Sequence, residues 1–260
     1  MRTVSLWKSI PINIVVILLA ACNNNSATPA GVEPSMTTTV VAGPCSNPFF
    51  PITAGATWTY TNSGSPAGTI AFTETITQTR SDGFTLTTQS GDVIRTHEWA
   101  CREDGLLALT FGGGAAAGIA TQGMTGEFNT SNVSGITFPA DIQPGKEWSY
   151  NMDINGTFDM PDGQNVPIEG TIATAMKAIG VEQVSVPAGT FEAMKIEAIP
   201  TINVSANYLG FPIPLTFTGN ITIWLAPGIG WVKSTESGDF AGTTINTTTE
   251  LQSFLIPSSQ

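Results

Sequence analysis

Few side chains in this chain have the type and spacing that chemistry requires. The first is Cys22. It follows Leu19-Ala20-Ala21, an apolar run from Ile10 to Ala20 and two basic residues, Arg2 and Lys8; the polar Asn23-Asn24-Asn25-Ser26 comes after it. Small residues before a cysteine let a signal peptidase reach the backbone, and the thiol sulfur is the atom that takes a diacylglycerol. A basic start, an apolar middle and this ending form a bacterial secretion signal with a lipobox. An ordinary signal peptide with an incidental cysteine is the plainer alternative. A membrane-spanning helix needs roughly 20 apolar residues, more than this run supplies.

Two cysteines remain, Cys45 and Cys101. In an oxidising compartment they are expected to form one disulfide, with two buried thiols as the alternative. His97 is the only histidine. A Ser-His-Asp triad would have to use it with Asp92 or Glu98, but no Gly-x-Ser-x-Gly elbow exists. A hydrogen-bonded strand histidine is the simpler reading. A zinc site from one histidine and two paired cysteines is not credible, so no metal is expected. Asn151, Asp153, Asn155, Asp159 and Asp162, with Gly156, mimic the oxygen spacing of a calcium loop. Position 1 lacks a carboxylate, position 12 lacks the long glutamate, and helices do not flank it. Asn155-Gly156 between alternating residues is instead a hairpin signal. Trp58, Trp148 and Trp231 each follow a glycine closely, so they read as packing at strand starts more than as sugar-stacking platforms. Gly112-Gly113-Gly114 is not followed by the Lys-Ser or Lys-Thr of a phosphate loop.

Composition narrows the classes further. The net charge is −11, and removing residues 1–21 takes away two basic and no acidic residues, giving −13. Such a chain gains nothing from counterion release, so nucleic acid is not an expected partner. Only 11% of residues are charged and 41% are hydrophobic, enough for a sizeable core under a neutral polar surface. Residues 22–44, from the lipidated cysteine onward, lack apolar periodicity and read as a flexible tether.

From Cys45 the grammar is that of strands. Thr57-Trp58-Thr59-Tyr60 is β-branched and aromatic, and Ile70, Phe72 and Ile76 alternate with threonines. Ile202, Val204, Ala206 and Tyr208 alternate, as do Leu215, Phe217, Ile221 and Ile223. Short Gly- and Asp-containing turns join these runs, so neighbours are expected to pair as antiparallel hairpins. Residues 112–118 are almost pure Gly and Ala, read as a loop or short helix over the sheet. Gly55, Trp58 and Tyr60 recur as Gly145, Trp148 and Tyr150 at a constant offset, a weak repeat of 50–60 in 138–150.

Val186-Pro187-Ala188-Gly189-Thr190-Phe191-Glu192-Ala193-Met194-Lys195-Ile196, with Trp224-Leu225-Ala226-Pro227-Gly228-Ile229-Gly230-Trp231-Val232-Lys233 downstream, resembles a family of bacterial lipoproteins, the TapB-like group. The resemblance covers roughly residues 45–256. It implies a strongly curved antiparallel sheet similar to the open barrels of lipoprotein-carrier proteins, and it brings no catalytic residues.

The expectation is therefore an all-β protein: one large curved, mainly antiparallel sheet or half barrel over 45–260, with one short helix or loop across its concave face. Residues 1–21 are the signal peptide. The protein is expected to be a lipid-anchored, extracytoplasmic lipoprotein of the cell membrane or outer membrane, non-catalytic and without cofactor. It would bind a lipid-like molecule or an envelope partner. The alternatives are a carbohydrate-binding module and a hydrolase. Cys22→Ala is expected to abolish palmitate labelling and release the protein from membranes; a variant that still labels and stays bound overturns the lipobox.

Overall fold

The computed structural model describes residues 45–65, 68–112, 126–159, 164–240 and 243–258. The expected signal peptide, Cys22, the expected tether and the 113–118 part of the Ala/Gly-rich stretch lie outside the described residues. All regular elements among the described residues are strands: β1 (Thr57–Ser65), β2 (Gly68–Thr79), β3 (Gly83–Ser90), β4 (Val93–Arg102), β5 (Gly105–Ala108), β6 (Gly126–Gly135), β7 (Phe138–Pro139), β8 (Glu147–Asp159), β9 (Asn165–Val186), β10 (Gly189–Tyr208), β11 (Phe211–Ala226), β12 (Gly230–Phe240) and β13 (Thr243–Leu255). They form one sheet in the order β6-β8-β9-β10-β11-β12-β13-β1-β2-β3-β4-β5-β7. Every neighbouring pair is antiparallel, and the sheet curls into a half barrel.

Side-chain alternation explains why these residues form strands and which face they bury. On β9, Val166, Ile168, Ile172, Met176 and Ala178 are buried, while Glu169, Thr171 and Lys177 face water. A period of two puts each set on one face. β-Branched residues suit such a half-buried pleated surface.

The curl has a definite seam. β6 and β7 are the two ends of the strand order, yet only Ile136 and Thr137 separate them in sequence. Ile136 N donates to Ser149 O of β8 at 3.1 Å, and Thr137 N donates to Leu106 O of β5 at 2.9 Å. Within two residues the chain passes from one edge of the sheet to the other. Thr137 anchors the crossing: its hydroxyl accepts from Ala108 N at 2.9 Å and its carbonyl from Trp148 Nε1 at 3.2 Å. Gly135 leads into it with φ 83°, and a Cβ there would lie 2.1 Å from Ser149 O, so only glycine fits.

One end of the curl is plugged. Residues ahead of β1 cross it, with Asn47 Nδ2 donating to Pro139 O at 3.1 Å and Gly228 N to Pro48 O at 2.8 Å. Phe50 stands among Trp58, Phe84, Trp99 and Phe138, with ring centroids 5.5–5.9 Å away. Cys45 and Cys101 are disulfide-bonded, which fastens this plug to β4.

The sequence repeat has a structural counterpart. Gly55 N donates to Ile76 O and Ile76 N to Ala56 O; Gly145 N donates to Ala178 O and Ala178 N to Lys146 O. The same pattern thus opens β1 and β8. Phe50 and Phe138, which head the two copies, stack on each other at 5.8 Å.

Two expectations need correction. Asn155-Gly156 is not a turn: both lie inside β8, paired with Asn129 and Phe128 of β6 on one side and Glu169 and Ile168 of β9 on the other. Ladders on both sides hold the pair extended, and the β8–β9 pairing continues to Asp159 and Asn165. The calcium-loop spacing fails for the same reason, because a strand spreads Asn151, Asp153 and Asn155 along one face. Second, the alternating run Ile202–Tyr208 is not a strand of its own: β10 extends unbroken from Gly189 to Tyr208. Pro200, which has no N–H, falls in the gap of the β10–β11 ladder between Ala198↔Ile221 and Ile202↔Phe217.

The disulfide closes a loop with a sequence separation of 56. Its removal by Cys45→Ala/Cys101→Ala is expected to lower the unfolding free energy by about 4 kcal/mol in urea titrations. An unchanged midpoint would show that the plug holds without it.

Candidate functional site

The concave face divides into two halves of different chemistry. On β8 to β11 the inward side chains are almost all apolar: Met152, Ile154, Ile172, Met176, Ala198, Ile202, Ile221 and Ile223 are buried there. Between them and the Phe111 and Phe138 rings lies a cavity of about 30 Å³, whose only polar lining comes from Thr137, Tyr150 and Thr174. Thr174 hydrogen-bonds the Tyr150 hydroxyl, and burial pushes that phenol above its ordinary range. The volume holds about two waters. It is an order of magnitude below the roughly 300–1,000 Å³ of ligand pockets. The void is mostly apolar in its lining and too small as it stands to hold a lipid-like molecule.

The half formed by β12, β13 and β1 to β4 buries polar groups among its aromatics. Asn62 Nδ2 donates to Thr249 Oγ1 at 2.8 Å, and the Tyr60 hydroxyl donates to Trp231 O at 2.9 Å. Glu74 stands opposite Thr88, which stands opposite Arg95, in one row across β2, β3 and β4. Glu74 is only 5% exposed, and burial raises its carboxyl to about 7. Glu236 is raised to about 7 by the same cause, partly offset by a hydrogen bond from Thr247. His97, 4% exposed, is lowered to about 4, first by burial and then by the Arg95 charge, against a hydrogen bond to Phe111 backbone. Asn62 Oδ1, Thr88 Oγ1, His97 Nδ1 and Glu236 Oε1 have no partner among the described residues.

Phe111 connects the halves, since its backbone bonds His97 and it lines the apolar cavity. Periodicity alone could have found Glu74, because Phe72, Glu74 and Ile76 share one parity. Glu236 carries no such signal; a bulge between Trp224 and Leu225 resets the β11–β12 register ahead of it.

The residues singled out from sequence are dispersed. Cys22 lies outside the described residues. Cys45 and Cys101 are joined at the plugged end, with their Cα atoms 4.9 Å apart. His97 does not meet the carboxylates proposed to orient it. Glu98 faces the other side of β4, bonding Arg80 Nη2 at 2.6 Å and Thr85 Oγ1 at 2.9 Å, and Asp92 is exposed in the β3–β4 turn. Trp58 and Trp231 are buried and Trp148 is half-buried. No group of three or more His, Cys, Asp or Glu that could hold a metal occurs among the described residues.

A second concavity of about 630 Å³ opens on the convex side over β8 to β11, lined by Asp153, Asn155, Glu169, Asn203, Ser205 and Thr216 among others. Its lining includes carboxylates, amides and hydroxyls, with Asp153 Oδ2 already accepting from Asn132 Nδ2 at 2.6 Å.

Comparison with known proteins is consistent with this architecture. A family model described as DUF3108-like matches residues 60–251. Among solved structures, a candidate exported protein of YmcC-like fold from Bacteroides fragilis superposes with a TM-score of 0.53 at 15% identity, covering 81% of this chain and 100% of that one. A candidate lipoprotein from Parabacteroides distasonis gives 0.47 at 16% identity, covering 81% and 99%. No curated protein matches.

The buried carboxyls make stability depend on pH. Glu74 ionises near 7 in the fold and near 4.5 when unfolded, so the native state keeps its proton longer and stability falls as pH rises from about 4.5 through 7. His97 acts oppositely, removing stability as pH falls from about 6.5 through 4. Glu74→Gln is expected to flatten the decline of the urea midpoint between pH 5 and 8, removing up to about 3 kcal/mol of pH dependence. Parallel profiles for variant and wild type would contradict the buried carboxyl.

Proposed function

This chain belongs to the DUF3108-like family, and on that premise we propose that it is an extracytoplasmic lipoprotein, held in the envelope by acylated Cys22, whose curled sheet binds an apolar ligand without catalysing a reaction. The narrower TapB-like assignment rests on the Val186–Ile196 and Trp224–Lys233 motifs. One observation carries the ligand reading: the inward stripe of β8 to β11 is mostly apolar from Met176 and Ile223 out to Val166 and Ala206, and a small cavity lies along it. An acyl chain is the ligand whose surface matches such a lining, because burying it recovers about 0.8 kcal/mol per CH₂.

Phe111 lines the cavity, is half-buried and packs edge-on against Phe128 at 5.8 Å, so its truncation would enlarge the cavity. In the envelope-extracted protein, Phe111→Ala is expected to strengthen binding of a fluorescent fatty acid. Ala198→Phe, which fills the cavity, is expected to abolish it with melting temperature as the folding control. Native mass spectrometry of the wild type should show co-purified lipid. Clean apo protein with no probe binding in any of the three overturns the ligand reading.

A carbohydrate ligand is the second reading, supported by the groove over Asp153, Asn155 and Asn203. Glycan-array binding lost in Asn203→Ala and kept in Ala198→Phe would favour it over the apolar one.

A further inference from the structure

The outer tip of the β10–β11 hairpin is built against the expectations for a water-facing turn. Tyr208 pairs with Phe211, leaving Leu209 and Gly210 as a two-residue turn. Their φ angles are 52° and 86°. Such turns take Asn-Gly or Asp-Gly, because both central residues need positive φ. A leucine there costs about 1–2 kcal/mol over a residue in the ordinary region. The same leucine is 73% exposed, as is Phe211, and Ile213 is 44% exposed. Neither backbone preference nor solubility accounts for Leu209 at this point.

The charge pattern points the same way. The chain carries net charge −11, but from Ala198 to Val232 it has no Asp, Glu, Lys, Arg or His. That span contains the whole outer part of the hairpin. The β11–β12 ladder begins only at Phe217↔Phe240, so Phe211 to Thr216 have no β12 partner among the described residues. The tip also continues the interior. By register Phe211 lies beside Tyr208 and Ile213 beside Ala206, on the parity that runs inward through Val204 and Ile202 to the cavity.

We infer that this tip enters a lipid bilayer, with Leu209 deepest, the cross-strand pair Tyr208 and Phe211 next at the boundary of acyl chains and headgroups, and Ile213 behind them. Aromatic residues favour that boundary. An exposed cluster of large apolar groups marks an interaction surface. A lipid surface is the occupant that an uncharged tip on an acidic chain fits: there is no charge to match on a protein partner, and no buried ion to desolvate. The inward stripe runs back from the tip along β10 through Val204 to Ile202, which lines the cavity described above. The inference rests on the envelope location given under Proposed function and not on the identity of the ligand.

The test uses the full lipoprotein reconstituted into phosphatidylcholine vesicles that contain nitroxide-labelled lipid. A single environment-sensitive fluorophore is attached at Phe211→Cys or, as a control at the opposite end of the sheet, at Asp104→Cys. Position 211 is expected to show a blue shift and quenching by the nitroxide, position 104 neither. Leu209→Asp should remove the quenching at 211 with an unchanged melting temperature. A label at 211 that stays in water overturns the inference, as does one that is shielded but not quenched, the result a second protein copy would give. Acylation of Cys22 is read separately by intact mass, so failure of the anchor is not mistaken for failure of the tip.

Discussion

The structure depends on how its sheet is curled. Ile136 and Thr137 join the two ends of a thirteen-stranded order, bonding to β8 on one side and β5 on the other. A flat sheet cannot satisfy both bonds, so the curl follows from the chain's own path. The curl separates an inside from an outside. Alternation along each strand then becomes a division between buried and solvated side chains. Thr137 also lines the apolar cavity, so the residue that closes the sheet helps to shape the candidate site.

The interior that results is not uniform. Phe50 and the rings around it fill one end, and the plugging segment with its disulfide seals it. The β8–β11 half is aliphatic and loosely filled. The other half holds Glu74, His97 and Glu236 in places where charge is unfavourable, and burial keeps both carboxyls protonated up to about neutral pH. Buried acids without a full set of partners lower stability, while an apolar cavity forgoes packing contacts. Both departures lie on the concave face, where sequence and fold agree least. Such places are expected at functional sites.

Much of this was legible in the residues. Alternation at Ile202, Val204 and Ala206 marks the strand and its buried face. The Gly55 and Gly145 echo marks two identical strand openings, and the absence of three-turn amphipathic periodicity marks the absence of helices among the described residues. Long-range pairing was not legible. Nothing local in Ile136-Thr137 says that one amide bonds to residue 149 and the next to 106. Asn155-Gly156 reads as a turn because its local preference is real, and two flanking ladders override it. Pro200 lies inside β10 because the gap in the β10–β11 ladder accommodates its missing N–H. Glu74, a carboxylate between threonines, reads as surface, although its parity is that of Phe72 and Ile76.

The closure itself is open to direct measurement by native-state hydrogen exchange. If Ile136 and Thr137 fasten the two edges, their amides and that of Ala108 exchange as slowly as the central amides of β9 and β10. Exchange of all three at the rate of the exposed Gly91 turn would mean that the edges are not joined, and the enclosed interior would go with them.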